Sequence, residues 1–153
     1  MASLHQVIQQ TRSVLESSGI PDARLEAEVM VMSLMRMQRQ DIYANQEAHV
    51  ASQQEQDLAG MVERRLKREP LAYILGYREF YGINLLVTPG VLIPRPETET
   101  LVETVLECLK DVQRPLICDV GCGAGIVGLT LALERPDARV VLLDTFQEPL
   151  DLT

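Results

Sequence analysis

Apolar side chains recur at helical spacing through the first 75 or so residues of the chain. A first amphipathic helix is predicted between Ser3, which suits its N-cap, and Gly19, which ends the pattern. A second helix is predicted after Asp22 as its cap. The residues expected to face inward are Leu4, Val7, Ile8, Thr11, Val14 and Leu15 in the first helix, and Leu25, Val29, Met32 and Met35 in the second.

A later helix is predicted to begin at Ser52, because Ser52 and Glu55 have the spacing of a capping box. Its inward residues are expected to be Leu58, Met61, Val62 and Leu66. Its last turns carry four cations, Arg64, Arg65, Lys67 and Arg68. Positive charge suits a helix C-terminus, and these side chains are expected to form a solvated face.

After Tyr77 the period of the apolar positions changes from three or four to two. Residues 78–81 and 83–87 flank Gly82, which predicts a β-hairpin or a bulged ribbon. Residues 91–93 are predicted to be a short extended piece. Pro94 and Pro96 then hold the chain out of a helix.

The remaining pattern is that of a βαβ unit. A helix starting at Pro96 or Thr98 is expected to turn Leu101, Val102, Val105 and Leu109 inward. A strand at 116–120, a glycine turn, a helix at about 124–134 and a strand at 139–144 follow. This order implies parallel strands joined by a right-handed crossover.

The predicted fold class is an N-terminal α-helical bundle followed by a β-ribbon linker and the beginning of a Rossmann-like α/β domain. The predicted boundaries are 1–76 for the helical domain, 77–95 for the linker and 96–153 for the α/β part. The chain shows no internal repeat and no low-complexity tract.

Composition restricts the class of protein. Hydrophobic residues make up 46% and charged residues 24%, as in ordinary soluble domains. The net charge of −8 argues against direct binding to nucleic-acid phosphates. We find no membrane-spanning run and no signal peptide, and the three cysteines fit neither a zinc site nor a disulfide framework. We therefore expect a cytoplasmic protein without a metal site. The oligomeric state cannot be read from the sequence.

The candidate chemistry lies in the glycine turn. Gly121, Gly123 and Gly125 alternate directly after a predicted strand, where a helix N-terminus follows. A dinucleotide fingerprint would need glycine at Ile126. The G-x-G-x-G form is common among S-adenosylmethionine (AdoMet) methyltransferases. The predicted cofactor-binding residues are Gly121, Cys122, Gly123, Ala124, Gly125 and Asp144.

Two acidic residues flank this turn, and each has two interpretations. Asp144 closes the next strand, where its carboxylate would accept hydrogen bonds from ribose hydroxyls; the alternative is a cap for a following helix. Asp119 precedes the turn, where its carboxylate would orient loop amides, and ligand contact through it stays open. The glycine turn itself has the alternative of a tight strand-to-helix connection that binds no ligand.

Three stretches of the chain resemble the HemK/PrmC family, the release-factor glutamine N5-methyltransferases. They are Arg68–Gly76, then Arg78–Tyr81 with Leu92–Glu99, and then Asp119–Gly125 with Asp144. The Ile-Pro-Arg-Pro-Glu-Thr-Glu stretch discriminates best, because generic methyltransferases lack it beside the glycine loop.

The resemblance implies an AdoMet-dependent enzyme with a class I methyltransferase domain. Its implied partners are class 1 peptide release factors, bound by the helical domain and methylated on the glutamine of a Gly-Gly-Gln motif, in translation termination. Arg95, Thr98 and Glu99 would border the active site, or the prolines around Arg95 would only fix the entry to the domain.

The resemblance also implies a substrate clamp, Asn-Pro-Pro-Tyr, which this sequence does not contain. Its asparagines are Asn45 and Asn84, both ahead of the glycine loop. We therefore expect a chain truncated within the catalytic domain, with no catalytic residue present, no methyl transfer as written, and weak or no AdoMet binding. Two alternatives stay open: a non-catalytic module that binds a release factor, and another class I methyltransferase acting on an amino group of nucleic acid.

Overall fold

The computed structural model describes residues 2–145, which fold as two compact units that divide between Leu75 and Gly76. The first unit is helical. The second combines two small β-sheets with helices, as the predicted fold class requires. Among residues 2–145, no helix is long and apolar enough to cross a bilayer.

The helical unit contains five helices around one core. They are α1 (Leu4–Ser17), α2 (Ala23–Met35), α3 (Arg39–Ala44), α4 (Ser52–Leu66) and α5 (Leu71–Leu75). Both α1 and α4 pack against α2. Its most deeply buried side chains, fully or almost fully enclosed, are Leu4, Leu15, Ala27, Met30 and Val31.

The predicted start of α1 is confirmed. Ser3 Oγ accepts the Gln6 N–H at 3.3 Å, and Gln6 Oε1 accepts the Ser3 N–H at 2.9 Å, a complete capping box. Gly19 follows the helix in a left-handed conformation. The predicted burial of Val14 is wrong, because this side chain lies beside an open groove of about 360 Å³ between α1 and α4 and is 42% exposed.

The predicted inward face of α2 is only partly right, because Met32 and Met35 pack against the core but do not form its buried centre. The buried face carries Ala23, Ala27, Met30 and Val31, while Leu25 is half-exposed and the other three predicted residues are only partly buried. Apolar residues of α2 lie on several sides of the helix, so their spacing does not identify which side is buried. Asp22 does not cap the helix through its side chain, because its own backbone is left-handed with φ 54°.

A charged residue, Glu28, is buried inside the helical unit, and the apolar pattern did not predict this. Glu28 is 5% exposed, and its carboxylate accepts hydrogen bonds from Arg24 at 3.2 Å, Arg39 at 2.8 Å and Tyr43 at 3.1 Å. Burial alone would raise the pKa of Glu28, but these hydrogen bonds outweigh burial and the pKa lies below its ordinary value. The carboxylate thus joins α2 to α3.

The capping box predicted at Ser52 is wrong by one residue. The helix begins at Ser52 itself, so Ala51 is the N-cap and its N–H donates to Gln54 Oε1 at 3.0 Å. Glu55 instead accepts the Ala2 N–H at 3.1 Å, which ties the N-terminal segment to α4. Leu58 is the one fully buried member of the predicted α4 face, and Leu66 is 37% exposed.

The cations at the end of α4 form a solvated face only in part, because Arg64, Lys67 and Arg68 are exposed as predicted while Arg65 is largely buried. Arg65 donates to both oxygens of Glu26, at 2.6 and 3.1 Å, and both side chains are largely buried. Arg68 donates to the carbonyl oxygens of Ser18 at 2.8 Å and Gly19 at 3.2 Å. Lys67 pairs with an exposed Glu63, and Arg64 pairs with Glu69 at 2.5 Å. The end of α4 is therefore fastened to α2 and to the turn after α1.

The second unit begins with a hairpin, as predicted. Its elements are β1 (Tyr77–Phe80), β2 (Ile83–Leu86), a 3₁₀ turn (Pro96–Thr98), α6 (Glu99–Cys108), β3 (Leu116–Val120), α7 (Ile126–Glu134) and β4 (Arg139–Leu143). Antiparallel β1 and β2 meet in a two-residue turn, Tyr81–Gly82, with φ of 52° and 73°. Positive φ at both positions is the signature of a type I′ turn.

The piece predicted to be extended at 91–93 joins neither sheet. These residues form no strand; the Val91 N–H closes a turn on the Thr88 carbonyl at 3.1 Å. In α6, Val102 is fully buried as predicted, but Leu101 is 51% exposed. Leu106 packs toward the core in its place, because the contact with α7 lies along one side of α6.

The parallel pairing of β3 with β4 is confirmed. The register runs from Leu116 opposite Arg139 to Val120 opposite Leu143. α7 covers one face of this pair, while Leu116 and Val120 on the other face are 70% and 75% exposed. The two strands therefore present one packed face and one bare apolar face.

Arg135, at the end of α7, closes the neighbouring helix. It donates to the carbonyl oxygens of Leu109 and Val112, each at 2.7 Å, and so caps the C-terminus of α6. Its guanidinium also pairs with Asp137. This pairing and the hydrogen bond from the Arg114 N–H lower the pKa of Asp137 to about 2.

The two cations at the end of α4 should differ in their effect on stability. Arg65→Met leaves Glu26 without its buried partner, so we expect the free energy of unfolding of the helical unit to fall by about 2 kcal/mol. Lys67→Met, two residues away, breaks an exposed pair and should leave it unchanged. Denaturant titration of both variants measures the difference. Equal losses would contradict a structural role for Arg65.

Glu28 should make the helical unit sensitive to acid. Its pKa is lower in the folded state than in the unfolded chain, so its stabilisation is present above the ordinary carboxyl pKa and is lost as the pH falls through the depressed folded value. Denaturant titration at steps below about pH 5 should show stability falling. In Glu28→Gln this fall should be shallower. If the unfolding free energy of both proteins depended on pH in the same way, Glu28 would not be the source of the acid sensitivity.

Candidate cofactor site

The glycine turn is a loop of left-handed glycines at the carboxyl end of β3. Gly121, Gly123 and Gly125 have φ of 75°, 56° and 70°, which L-residues with a Cβ rarely adopt. A Cβ built on Gly121 or Gly123 would meet no atom within 4 Å. Open space beside the loop therefore faces both glycines.

The loop is fixed by hydrogen bonds to the end of the neighbouring strand. The N–H groups of Gly121 and Cys122 both donate to the Leu143 carbonyl oxygen, at 2.7 and 3.1 Å. The Gly125 N–H then donates back to the Cys122 carbonyl at 2.9 Å, which closes a turn into α7. Both ends of the loop are thus held by regular elements.

Asp144 lies against the loop. Its Oδ2 accepts the Gly123 N–H at 2.8 Å, so the structure brings the predicted acid and the predicted glycines into one site. This bond was not foreseen, because sequence spacing places Asp144 at a strand end without showing which amide it meets. Ribose binding by Asp144 stays a prediction.

Asp119 serves a different amide from the one expected. Its Oδ2 accepts the N–H of Gly128, in the first turn of α7, at 3.0 Å. A carboxylate on β3 therefore caps the helix, which has no side-chain cap from Gly125. A Cβ on Gly128 would lie 2.2 Å from Leu142 Cδ2, so glycine is what lets α7 approach the strands this closely.

Cys122 is a lining residue rather than a reactive one. Its side chain is buried, and burial together with the charges of Asp119 and Asp144 raises the pKa of the thiol. The thiol is therefore neutral at physiological pH. Among the residues that the structure describes, no group of three or more histidines, cysteines or acids is placed to hold a metal.

The three residues expected at the border of the site form a local group at the entry to α6. The Thr98 N–H donates to the Arg95 carbonyl at 3.0 Å and closes the 3₁₀ turn. The Glu99 carboxylate accepts the Tyr81 N–H from the hairpin at 2.9 Å. Contact of Arg95, Thr98 or Glu99 with a ligand stays a prediction.

The glycine loop and Asp144 fit the adenosine half of AdoMet. The space beside Gly121 and Gly123 admits a ligand that a side chain would exclude. A carboxylate can accept hydrogen bonds from ribose hydroxyls, and that of Asp144 lies beside Gly123, whose N–H it accepts.

Two family models match the chain. The model described as "PrmC N-terminal domain" matches residues 6–76, and the model described as "rRNA small subunit methyltransferase G" matches residues 94–148. The first covers the helical unit. The second covers the 3₁₀ turn, α6, the glycine loop and β4.

Curated relatives match over most of this chain. A release factor glutamine methyltransferase of Coxiella burnetii is 45% identical over 129 residues, 84% of this chain and 47% of that protein. One from Koribacter versatilis is 37% identical over 98% of this chain and 54% of its own length. A human MTRF1L release factor glutamine methyltransferase is 35% identical over 100% of this chain and 48% of its own length. The chain spans about half the length of the curated relatives it matches.

The close approach of α7 to the strands can be tested with two helical glycines. Gly128→Ala forces Leu142 to move and strains the Asp119 bond, so we expect a loss of about 1–3 kcal/mol in the unfolding free energy of the α/β unit. A Cβ added at Gly60 in α4 would meet no atom within 4 Å. For Gly60→Ala we therefore expect the unfolding free energy of the helical unit to rise by about 0.5–1 kcal/mol. Amide hydrogen exchange resolves each unit separately. A gain at both positions would refute the close packing.

Proposed function

The chain belongs to the HemK/PrmC family of release factor glutamine methyltransferases, and we propose that the protein carrying it methylates the glutamine of the Gly-Gly-Gln motif in class 1 release factors. The observation that carries this proposal is the glycine loop with the Asp144 carboxylate at 2.8 Å from Gly123 N. It lies in a chain whose helical unit matches the family's N-terminal domain.

The proposed cofactor is AdoMet, which when bound supplies an electrophilic sulfonium methyl group. In this proposal the loop Gly121–Gly125 holds the cofactor against its backbone, since Gly121 and Gly123 have no side chain and face open space. The Asp144 carboxylate accepts hydrogen bonds from the ribose hydroxyls. Cys122 and Ala124 line the loop without taking part in the chemistry, consistent with the raised pKa of the Cys122 thiol.

The proposed acceptor explains why the site must be rigid. The lone pair of an amide nitrogen is delocalised into its carbonyl, so a glutamine side chain is a poor nucleophile. Holding the nitrogen in line with the methyl group must therefore provide much of the acceleration. The cofactor side of that alignment is built from a loop whose amides are already bonded to Leu143 and Asp144.

We assign the helical unit the role of contacting the release factor. Support comes from the match of residues 6–76 to the family's N-terminal domain and from the separate core of this unit. In this scheme residues 1–76 recognise the partner, 77–95 connect the two parts, and 96–153 begin the methyltransferase domain.

Methylation of an amino group in nucleic acid is the second candidate. The match to the rRNA methyltransferase model favours it, but that match is confined to residues 94–148, which hold the cofactor loop. The net charge of −8 and the helical unit favour a protein substrate.

The proposal is tested in the cell that encodes this chain, on the protein at its natural length. Asp144→Ala, introduced in the gene, should abolish the additional methyl mass on the Gly-Gly-Gln peptide of a class 1 release factor, measured by mass spectrometry. Asp137→Asn is the matched control, because Asp137 is an acidic residue of the same unit whose carboxylate accepts hydrogen bonds from the Arg135 guanidinium and the Arg114 N–H.

The outcomes separate the candidates. Loss of the glutamine methyl group in Asp144→Ala, with full methylation in Asp137→Asn, supports the proposal. An unchanged release-factor peptide in a strain lacking the gene would refute it. Loss of a methylated base from rRNA or DNA in that strain would support the second candidate instead.

A further inference from the structure

One hydrogen bond links the hairpin to the start of α6. The Tyr81 N–H donates to Glu99 Oε1 at 2.9 Å across 18 residues of chain. Its two ends belong to the two stretches, residues 78–81 and 92–99, that the sequence alone singled out as motifs. The structure thus joins two separate motifs at one point.

The turn whose Tyr81 N–H donates this bond is unfavourable by itself. Tyr81 has φ 52°, a conformation that a type I′ turn requires and that asparagine, aspartate or glycine adopts more readily than tyrosine. The neighbouring contact lies on the same side of α6: Phe80 is 1% exposed and packs in one cluster with Val102, three residues after Glu99. Packing and hydrogen bond together hold the strained turn on α6.

The bond also closes a loop. Residues 82–98 lie between its ends and include the turn at Thr88–Gly90 and the 3₁₀ turn that carries Arg95 and Thr98. Fixing the two ends of a segment removes most of the conformations open to it. The placement of Arg95 and Thr98 therefore depends on the contact between Tyr81 and Glu99.

We infer that Glu99 is a positioning residue, whose carboxylate holds the hairpin turn and thereby fixes the loop that presents Arg95 and Thr98, without itself contacting a ligand. What Glu99 requires for this task is an acceptor oxygen, not a negative charge. The functional part rests on the proposed function, since Arg95 and Thr98 border an active site only in that proposal.

The experiment compares three variants of the chain by amide hydrogen exchange without added cofactor. In Glu99→Ala we expect the Tyr81 amide to exchange about tenfold faster or more, and the Val91 and Thr98 amides to follow. Glu99→Gln keeps an acceptor oxygen and should retain the protection at all three amides. Glu103→Ala, at an exposed position one turn further along α6, should leave all three unchanged.

Each contrary outcome identifies a different error. Unchanged exchange of Tyr81 in Glu99→Ala would refute the clamp. Faster exchange at Tyr81 alone would show that Glu99 holds the turn but not the loop. If Glu99→Ala unfolds the whole unit, Glu99→Gln decides: wild-type protection at Tyr81 supports the inference, and its loss overturns it.

The cellular assay separates positioning from ligand contact. Glu99→Gln should retain methylation of the release-factor peptide, while Glu99→Ala should reduce it. Equal loss in both variants would assign the carboxylate charge to a ligand and overturn the inference. Because the exchange measurements need no methyl transfer, a failure of the proposed function would leave their result standing.

Discussion

The distance between α7 and the β3–β4 pair is the constraint on which the candidate site depends. Gly128 sets that distance, since any side chain there would collide with Leu142. Only at this separation does Asp119 reach the helix amide and does the five-residue loop span from the end of β3 to the start of α7. The left-handed glycines follow from the same geometry, because so short a connection must reverse sharply.

Two carboxylates then fix what the packing has brought together. Asp119 acts from inside β3 on the helix, and Asp144 acts from beyond β4 on the loop. Each carboxylate accepts a backbone N–H, and their charges add to the effect of burial in raising the pKa of the intervening Cys122 thiol. The glycine loop is therefore held by its own strands, which suits its proposed role of aligning a cofactor.

Much of this arrangement could be predicted from the sequence where one residue type has one physical use. Gly82 between two alternating runs predicted the hairpin, Ser3 predicted the α1 cap, and the glycine turn between two apolar strands predicted the parallel pair. Prediction was only partly right where several residues satisfied one rule. In α2 apolar residues lie on several sides, so the buried face was decided by neighbouring helices and by Glu28. The bond from Asp144 to Gly123 is a tertiary contact that no spacing along the chain specifies.

Arg68 and Arg135 both bond to backbone carbonyl oxygens, and this has a consequence for how such sequences evolve. Arg68 donates to the carbonyl oxygens of Ser18 and Gly19, and Arg135 to those of Leu109 and Val112. A carbonyl is present whatever side chain accompanies it, so substitutions on the accepting side leave these bonds intact while substitution of either arginine removes them. Contacts of this kind constrain one partner alone. They therefore produce no correlated substitutions. A search for coupled positions would miss these two arginines, although each holds a helix end in its own unit.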